Sequence, residues 1–407
     1  MIFLENGRIF DGFSESAPSD SVLVEGGRIV EVGGQPPTGC ELTRINCGGR
    51  TVMPGLIDAH VHVCAPSFSF YDNDRLPPAL LHLYAARTLE RMLMQGFTTV
   101  RDAGGADRGL WLALDRGLIK GPRLFYSGKA ISQTGGHGDM RPWDRVEPCG
   151  CPGYDGSISR IADGVEGVRS AVREELRRGA HQIKLFVSGG VTSPNDPIWM
   201  DQFGDVEIRA AVEEAATRRT YVMAHCHTDD AVRRCIELGV RSIEHGTEIK
   251  SDTARMLAAR EMYVVPTLSV AKIARTHGSA LGMPRPSLQK LDGVYEQMLA
   301  SIERCGQEGV SLGLGTDILG YDFQELQGGE LALRGEIQQP IDVLRSATSV
   351  NASLLNESGE LGCLAPGARA DVLVVDGDPL KDLSLFRDPM RRIVLVMKGG
   401  EIVRTSL

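Results

Sequence analysis

His60 and His62 stand two residues apart at the end of the run Thr51-Val-Met-Pro-Gly-Leu-Ile-Asp-Ala-His-Val-His. In a β-strand, side chains at i and i+2 emerge on one face, so two imidazoles at this spacing can grip one cation. Further donors follow at the ends of later strand-like runs: Lys184, His225, His245 and Asp317. Singly, each has an ordinary reading. A histidine on an apolar strand is commonly a hydrogen-bonded core residue, and an aspartate after a strand commonly caps a helix. Together they form a set of imidazole nitrogens and carboxylate oxygens that suits a borderline divalent cation, with zinc expected. Lys184 lies in the apolar stretch Gln-Ile-Lys-Leu-Phe-Val. A protonated amine there, beside a metal, is unfavourable; a depressed pKa would make it a nucleophile. Reaction with CO2 would give a carbamate, a two-oxygen anion able to bridge two ions. Pairing of the lysine with a carboxylate is the alternative, and spacing does not choose between them.

Donors this far apart in sequence need a frame that gathers them. Strand patterns are expected at Leu56–Val63, Thr98–Asp102, Arg123–Tyr126, Gln182–Val187, Tyr221–His225, Ser242–His245, Tyr263–Pro266 and Ser311–Gly315. Between them, apolar residues recur at helical spacing over Pro78–Met94, Gly164–Arg178, Asp205–Arg218, Thr228–Leu238, Ser251–Ala259 and Ser287–Glu308. Strands alternating with helices point to a (β/α)8 TIM barrel over residues 54–364, whose catalytic residues collect at the C-terminal strand ends. Both chain ends instead alternate short β runs with turns such as Asn6-Gly7 and Gly399-Gly400. The simplest arrangement joins residues 1–53 and 365–407 into one small β-sandwich. The segments Ile131–Ser159 and Ser188–Phe203 read as long loops above the catalytic mouth.

The 407 residues carry a net charge of −9, with 42% apolar and 24% charged residues. An acidic chain without a basic stripe gives no electrostatic reason to expect nucleic acid or an anionic membrane as a partner. No apolar run approaches the ~20 residues of a membrane span. The start, Met-Ile-Phe-Leu-Glu-Asn-Gly-Arg, lacks a basic n-region and a cleavable apolar core. Nine scattered cysteines read as reduced thiols, which makes the cytoplasm the expected location. Cys149-Gly150-Cys151 reads as a turn before it reads as a zinc knuckle.

At this point the chain resembles the amidohydrolase superfamily over nearly its whole length. The resemblance rests on Pro54-Gly55-Leu56-Ile57-Asp58-Ala59-His60-Val61-His62, on Lys184 in Lys-Leu-Phe-Val-Ser-Gly-Gly, on His225-Cys226-His227, on Glu244-His245-Gly246-Thr247 and on Gly315-Thr316-Asp317. It implies two zinc-like ions bridged by an N6-carboxylated Lys184 and by a hydroxide that acts as the nucleophile on a C–N amide bond. By the same resemblance His60, His62 and Asp317 hold the more buried ion, His225 and His245 the more exposed one. Asp317 then accepts the hydroxide proton and delivers it to the leaving nitrogen. Thr134-Gly135-Gly136-His137-Gly138-Asp139, Ser188-Gly189-Gly190-Val191 and His225-x-His227 look most like a branch near imidazolonepropionase that contains Xaa-Pro dipeptidases (prolidases) and related carboxypeptidases. His227 stands where imidazolonepropionase has an acidic residue, which with Lys184 counts against opening of the imidazolone ring.

The expected activity is hydrolysis of dipeptides such as Xaa-Pro or of N-acyl amino acids. Hydrolysis of other small amides, carbamates, ureas or lactones is the alternative, and a non-catalytic binding barrel a third. His137 and His227 are candidates to hold a substrate carboxylate. The backbone N–H groups around Ser188 and Gly189 could meet an anion. Trp143, Tyr154 and Trp199 could cover an apolar side chain. Arg101 and Asp102 could line the mouth, but a structural salt bridge is the preferred reading, and Cys226 reads as a packing residue. The expected partner is a small molecule or dipeptide, and exposed barrel helices make a homo-oligomer the expected assembly.

Overall fold

A computed structural model describes the chain apart from residues 15–18, 40, 142–155, 194–195, 282, 284 and 292. Its centre is parallel β-sheet flanked by helices. One sheet of three strands pairs Leu56–Val61, Phe97–Asp102 and Arg123–Tyr126 in that order. A second, of seven, runs Ser159–Ile161, Ala130–Ser132, Ile183–Phe186, Val222–Cys226, Ser242–His245, Tyr263–Val265, Ser311–Leu312. Each strand expected from the sequence is present within a few residues.

Two junctions link these sheets. The third expected strand changes partners: Arg123–Tyr126 pairs with Phe97–Asp102, and Ala130–Ser132, after a turn at Gly128, pairs with Ile183–Phe186. Residues 131 and 159, expected as the ends of a long loop, therefore belong to short paired strands. At the other junction the N–H of Ala59 donates to the carbonyl of Leu314 at 2.8 Å, and that of Asp317 to the carbonyl of His60 at 2.8 Å.

Asn351 clips this second junction from the side. Its amide nitrogen donates to the carbonyls of Ile57 and Leu314 at 2.7 and 2.8 Å, and its oxygen accepts from the N–H of Leu314 at 3.2 Å. The side chain is fully buried.

The helices follow the apolar spacing. In Gly164–Arg177, Val168, Ala171, Val172 and Leu176 form the buried stripe. Thr228 caps Asp229–Leu238 by accepting from the N–H of Ala231, two acidic residues open its first turn, and Gly239 closes it at φ 85°. That cap fixes the turn directly after His227. The helix expected over Ser287–Glu308 is two helices, Arg285–Lys290 and Val294–Gln307, separated where Gly293 adopts φ 77°. Leu268–His277 and Arg108–Asp115 are further helices that the sequence pattern had not marked. Among the described residues no helix is long and apolar enough to cross a membrane, and the free cysteines are all buried.

Both chain ends meet in one five-stranded sheet, ordered Glu401–Thr405, Ile393–Lys398, Val372–Val375, Thr51–Pro54, Arg8–Ile9. A four-stranded sheet holds Arg28–Val32, Val22–Glu25, Ile2–Glu5 and Thr43–Asn46. The run Val372-Leu-Val-Val is apolar at every position because both its faces are covered. Val372 and Val374 join the cluster with Leu4, Val22 and Ile29 of the four-stranded sheet. Leu373 and Val375 join the cluster with Leu56, Leu89 and Phe97 beneath the parallel strands.

Asn351→Ala would remove three buried hydrogen bonds at the junction of the parallel sheets. The loss should be on the order of 2–3 kcal/mol, read as a lower urea midpoint at unchanged slope. An unchanged midpoint would mean that the clip does not hold the junction.

Candidate metal centre

The strands bring the sequence-distant donors to one place by register. Phe186 pairs with His225, His225 with Glu244, and Cys226 with His245, so Lys184, His225 and His245 lie near one sheet end. Asp58, fully buried, ties His60 to the Asp317 segment. It accepts from the N–H of His60 at 3.0 Å, from the hydroxyl of Thr316 at 2.6 Å and from the amide of Gln327 at 2.9 Å. Burial pushes the Asp58 carboxyl up to about 6, while these hydrogen bonds hold it down. Gly315 is needed at this crossing because a Cβ there would lie 2.7 Å from that of His60.

The resulting cluster is dense. Ring centroids of His60 and His62 are 5.5 Å apart, of His60 and His245 5.1 Å, of His225 and His245 4.6 Å, and of His225 and His227 4.7 Å. Asp317 Oδ1 lies 3.5 Å from His60 Nε2 and 3.4 Å from His62 Nε2. One ligand atom each from His60, His245 and Asp317 falls within 4.8 Å of the others.

Each imidazole is oriented by what its far nitrogen meets. Nδ1 of His60 pairs with Glu244 Oε2 at 2.7 Å, of His62 with the Gly104 carbonyl at 2.9 Å, of His245 with the Thr267 hydroxyl at 2.8 Å, and of His227 with the Thr247 hydroxyl at 2.7 Å. In these four the free nitrogen is therefore Nε2. His225 is reversed: its Nε2 pairs with the Gly189 carbonyl at 3.2 Å, which leaves Nδ1.

Burial pulls His62 down to about 4 and His60, His225 and His245 well below the ordinary imidazole value, with neighbouring cations adding to the effect. The rings are thus neutral and carry lone pairs. His60 Nε2 is buried without any hydrogen-bond partner. A stripped polar nitrogen of this kind costs about 1–3 kcal/mol unless something accepts its lone pair. A divalent cation does so, and the N and O donor set fits one.

Lys184 is fully buried, and burial lowers its amine to about 8, against the opposing charges of Glu244 and Asp317. Asp317 is pushed up to about 7 by burial. His245 and Asp317 also hold left-handed backbone, φ 70° and 53°. Non-glycine residues there cost on the order of 1–3 kcal/mol each and persist where the surroundings over-determine them.

These groups line a cavity together with His137, His227 and a set of apolar residues. Helix Leu268–His277 supplies Val270, Ala271 and Ala274; helix Val294–Gln307 supplies Val294 and Met298; Phe70, Met140, Ile158 and Leu319 are among the rest. His137 stacks on His225 with centroids 4.3 Å apart. Its Nδ1 meets the Ser193 hydroxyl at 2.7 Å and Asp196 Oδ2 at 3.3 Å. Gly190 lets that ring approach, since a Cβ there would lie 2.1 Å from His137 Cε1. Lys290 pins the same loop through the carbonyls of Gly190, Ser193 and Asp196, at 2.8, 2.9 and 2.5 Å.

Some expectations need correction. The N–H groups of Gly189 and Gly190 are used within the loop, donating to the Met200 carbonyl and to Asp196, and the Ser188 hydroxyl turns to the backbone of His227 and Gly189. The anion met there is the chain's own Asp196. Trp199 is 76% exposed and does not cover the cavity. Trp143, Tyr154, Cys149 and Cys151 lie outside the described residues. Arg101 does not face the mouth: it is buried against Glu244. Asp102 instead accepts from the N–H groups of Val63, Gly104 and Ala106. Cys226, as expected, packs in the core, beside Cys235.

Residues 51–403 match the amidohydrolase family. Ochratoxinase of Aspergillus niger is 32% identical over 367 residues, covering 87% of this chain and 75% of that protein. The crystal structure of a prolidase complexed with N-methylphosphonate-L-proline is similar with a TM-score of 0.95 and 43% identity, covering 100% of both chains. A Xaa-Pro dipeptidase with methionine bound in its active site gives 0.87 and 27%, covering 99% of both.

The Lys184 environment has a measurable consequence in metal-free, CO2-free protein. The folded chain releases the Lys184 proton near pH 8, the unfolded chain near 10.5. Between these values the unfolded state binds more protons, so this lysine makes stability rise with pH, by on the order of 2 kcal/mol across the window. Lys184→Met should lack that rise. Urea midpoints of both proteins across the window check it, and parallel curves would contradict the desolvation of the amine.

Proposed function

The chain belongs to the amidohydrolase family, and from that membership we propose a binuclear metal-dependent hydrolase of C–N amide bonds acting on Xaa-Pro or similar dipeptides and on N-acyl amino acids. The observation that carries this reading is the ring of neutral, inward-turned imidazole nitrogens, His60 Nε2 left without a partner, around the desolvated amine of Lys184. We read the parallel strands of residues 54–364 as one closed (β/α)8 barrel, and residues 1–53 with 365–407 as a β-sandwich beside it.

In this reading His60, His62 and Asp317 would hold one ion and His225 and His245 the other, and Lys184, carboxylated on Nζ, would serve as their shared ligand. Two divalent cations, zinc in our reading, would supply a water acidic enough to ionise near neutral pH and would polarise the scissile carbonyl. Asp317 would take the proton released on attack and return it to the leaving amine nitrogen. His137 and His227 offer their cavity-side nitrogens to the carboxylate of the amino-acid half. The apolar residues of helices Leu268–His277 and Val294–Gln307 receive a side chain.

The prolidase neighbour's ligand supports this substrate class. A phosphonate on the nitrogen of proline has the tetrahedral shape through which an acyl-proline bond passes on hydrolysis.

One observation favours N-acyl compounds and other uncharged amides over dipeptides with a free amino end. Among the described residues lining the cavity Asp317 is the sole carboxylate, and metal would claim it. An α-ammonium would then be desolvated beside cations without an anion of its own.

Protein loaded with zinc and bicarbonate should bind two ions per chain and release proline from both L-phenylalanyl-L-proline and 3-phenylpropanoyl-L-proline. These differ only in the ammonium, and the second should have a kcat/KM about ten-fold or more higher near pH 7, equivalent to about 1.4 kcal/mol. His137→Ala should raise KM for both by a similar factor. Two ions without turnover of any amide, carbamate or lactone would sink the hydrolase reading.

A further inference from the structure

Beneath His60, on the side away from the cavity, lies a buried ionic group that the proposed chemistry does not use. Glu244 Oε2 pairs with His60 Nδ1 at 2.7 Å. Arg101 Nη2 donates to both Glu244 oxygens, at 2.9 and 3.0 Å, and Arg101 Nε donates to the carbonyl of Ala59 at 2.6 Å. The Ser242 hydroxyl adds a further hydrogen bond to Glu244. All four side chains are fully buried.

The other proposed ligands have neutral partners. His62 leans on the Gly104 carbonyl, His245 on the Thr267 hydroxyl and His225 on the Gly189 carbonyl. His60 alone among them is backed by a carboxylate. A carboxylate on the distal N–H of a ligating histidine fixes the tautomer and makes the free nitrogen a better donor, with effects of about 10–100-fold on metal affinity. Arg101 shapes this support. It holds Glu244 by both oxygens and, through the Ala59 carbonyl, holds the backbone one residue before His60.

We propose that Glu244 and Arg101 are a positioning pair that makes the half of the centre built on His60, His62 and Asp317 the tight half, which takes up the first ion and releases its ion last. The inference rests on the two-ion reading of the site. An ion pair that merely supports the fold would weaken both halves alike when altered, whereas a positioning pair weakens one.

Zinc binding to the full chain, measured by chelator competition, separates the two. Glu244→Gln alone would leave Arg101 buried and unpaired, so the informative variant is E244Q/R101Q, which removes both charges. Glu244→Asp is the companion: it keeps a carboxylate for Arg101 but withdraws it from His60. In both, the tight binding step should weaken by about 10–100-fold and the weak step by less than about three-fold, with the urea midpoint of the metal-free Glu244→Asp protein near that of wild type. Unchanged affinities, or equal weakening of both steps, would overturn the proposal. A wild-type chain that binds a single ion would overturn the two-ion reading instead, and the affinity of that ion in Glu244→Asp would still decide whether the pair acts through His60.

Discussion

The site depends on desolvation more than on any single bond. Six histidines, a lysine and an aspartate meet in a small buried space, where cationic rings would repel one another and the lysine. Neutral rings remove that conflict, but each then has a nitrogen that water can no longer satisfy. The surrounding structure answers ring by ring with a carboxylate, a hydroxyl or a backbone carbonyl. Once the far nitrogen is fixed, the direction of the near one follows. Orientation of the donors is thus a property of the residues behind them, and those residues belong to strands and turns that form the frame itself.

The frame tolerates local cost where the donors need it. His245 and Asp317 occupy left-handed backbone at the ends of their strands. The neighbouring hydrogen bonds, from Gly246 back to Cys226 and from Asp317 back to His60, hold those turns in place. At the cavity, left-handed backbone, deep burial and the unpartnered Nε2 of His60 occur together.

Much of this was legible in the sequence because the governing patterns are local. The pair His60 and His62 declares a face of a strand, and short buried runs alternating with helical spacing declare the parallel strands around it. Lys184 was conspicuous as a lone cation among apolar neighbours. Other features were hidden because they depend on contacts between distant segments. Glu244 stands next to His245 and read as part of a motif, yet it acts on His60, 184 residues away. Arg101 read as a structural ion-pair residue, but nothing local says that its partner is Glu244. The glycines after Ser188 promised free N–H donors, and only the fold shows Met200 and Asp196 already meeting them. The break at Gly293 was obscured by continuous helical spacing on either side of it.

The strand Val372–Val375 carries one further consequence. It pairs with Thr51–Pro54 and covers apolar residues on both sides, yet roughly 320 residues separate the partners, and loop closure over such a distance is slow. During synthesis the early strands leave the ribosome long before this strand exists. Val22, Ile29, Val52 and Leu56 must wait with their apolar faces open until the strand Val372–Val375 has been made. The architecture therefore leaves these apolar faces uncovered through much of synthesis, the condition in which unfinished chains are prone to aggregate.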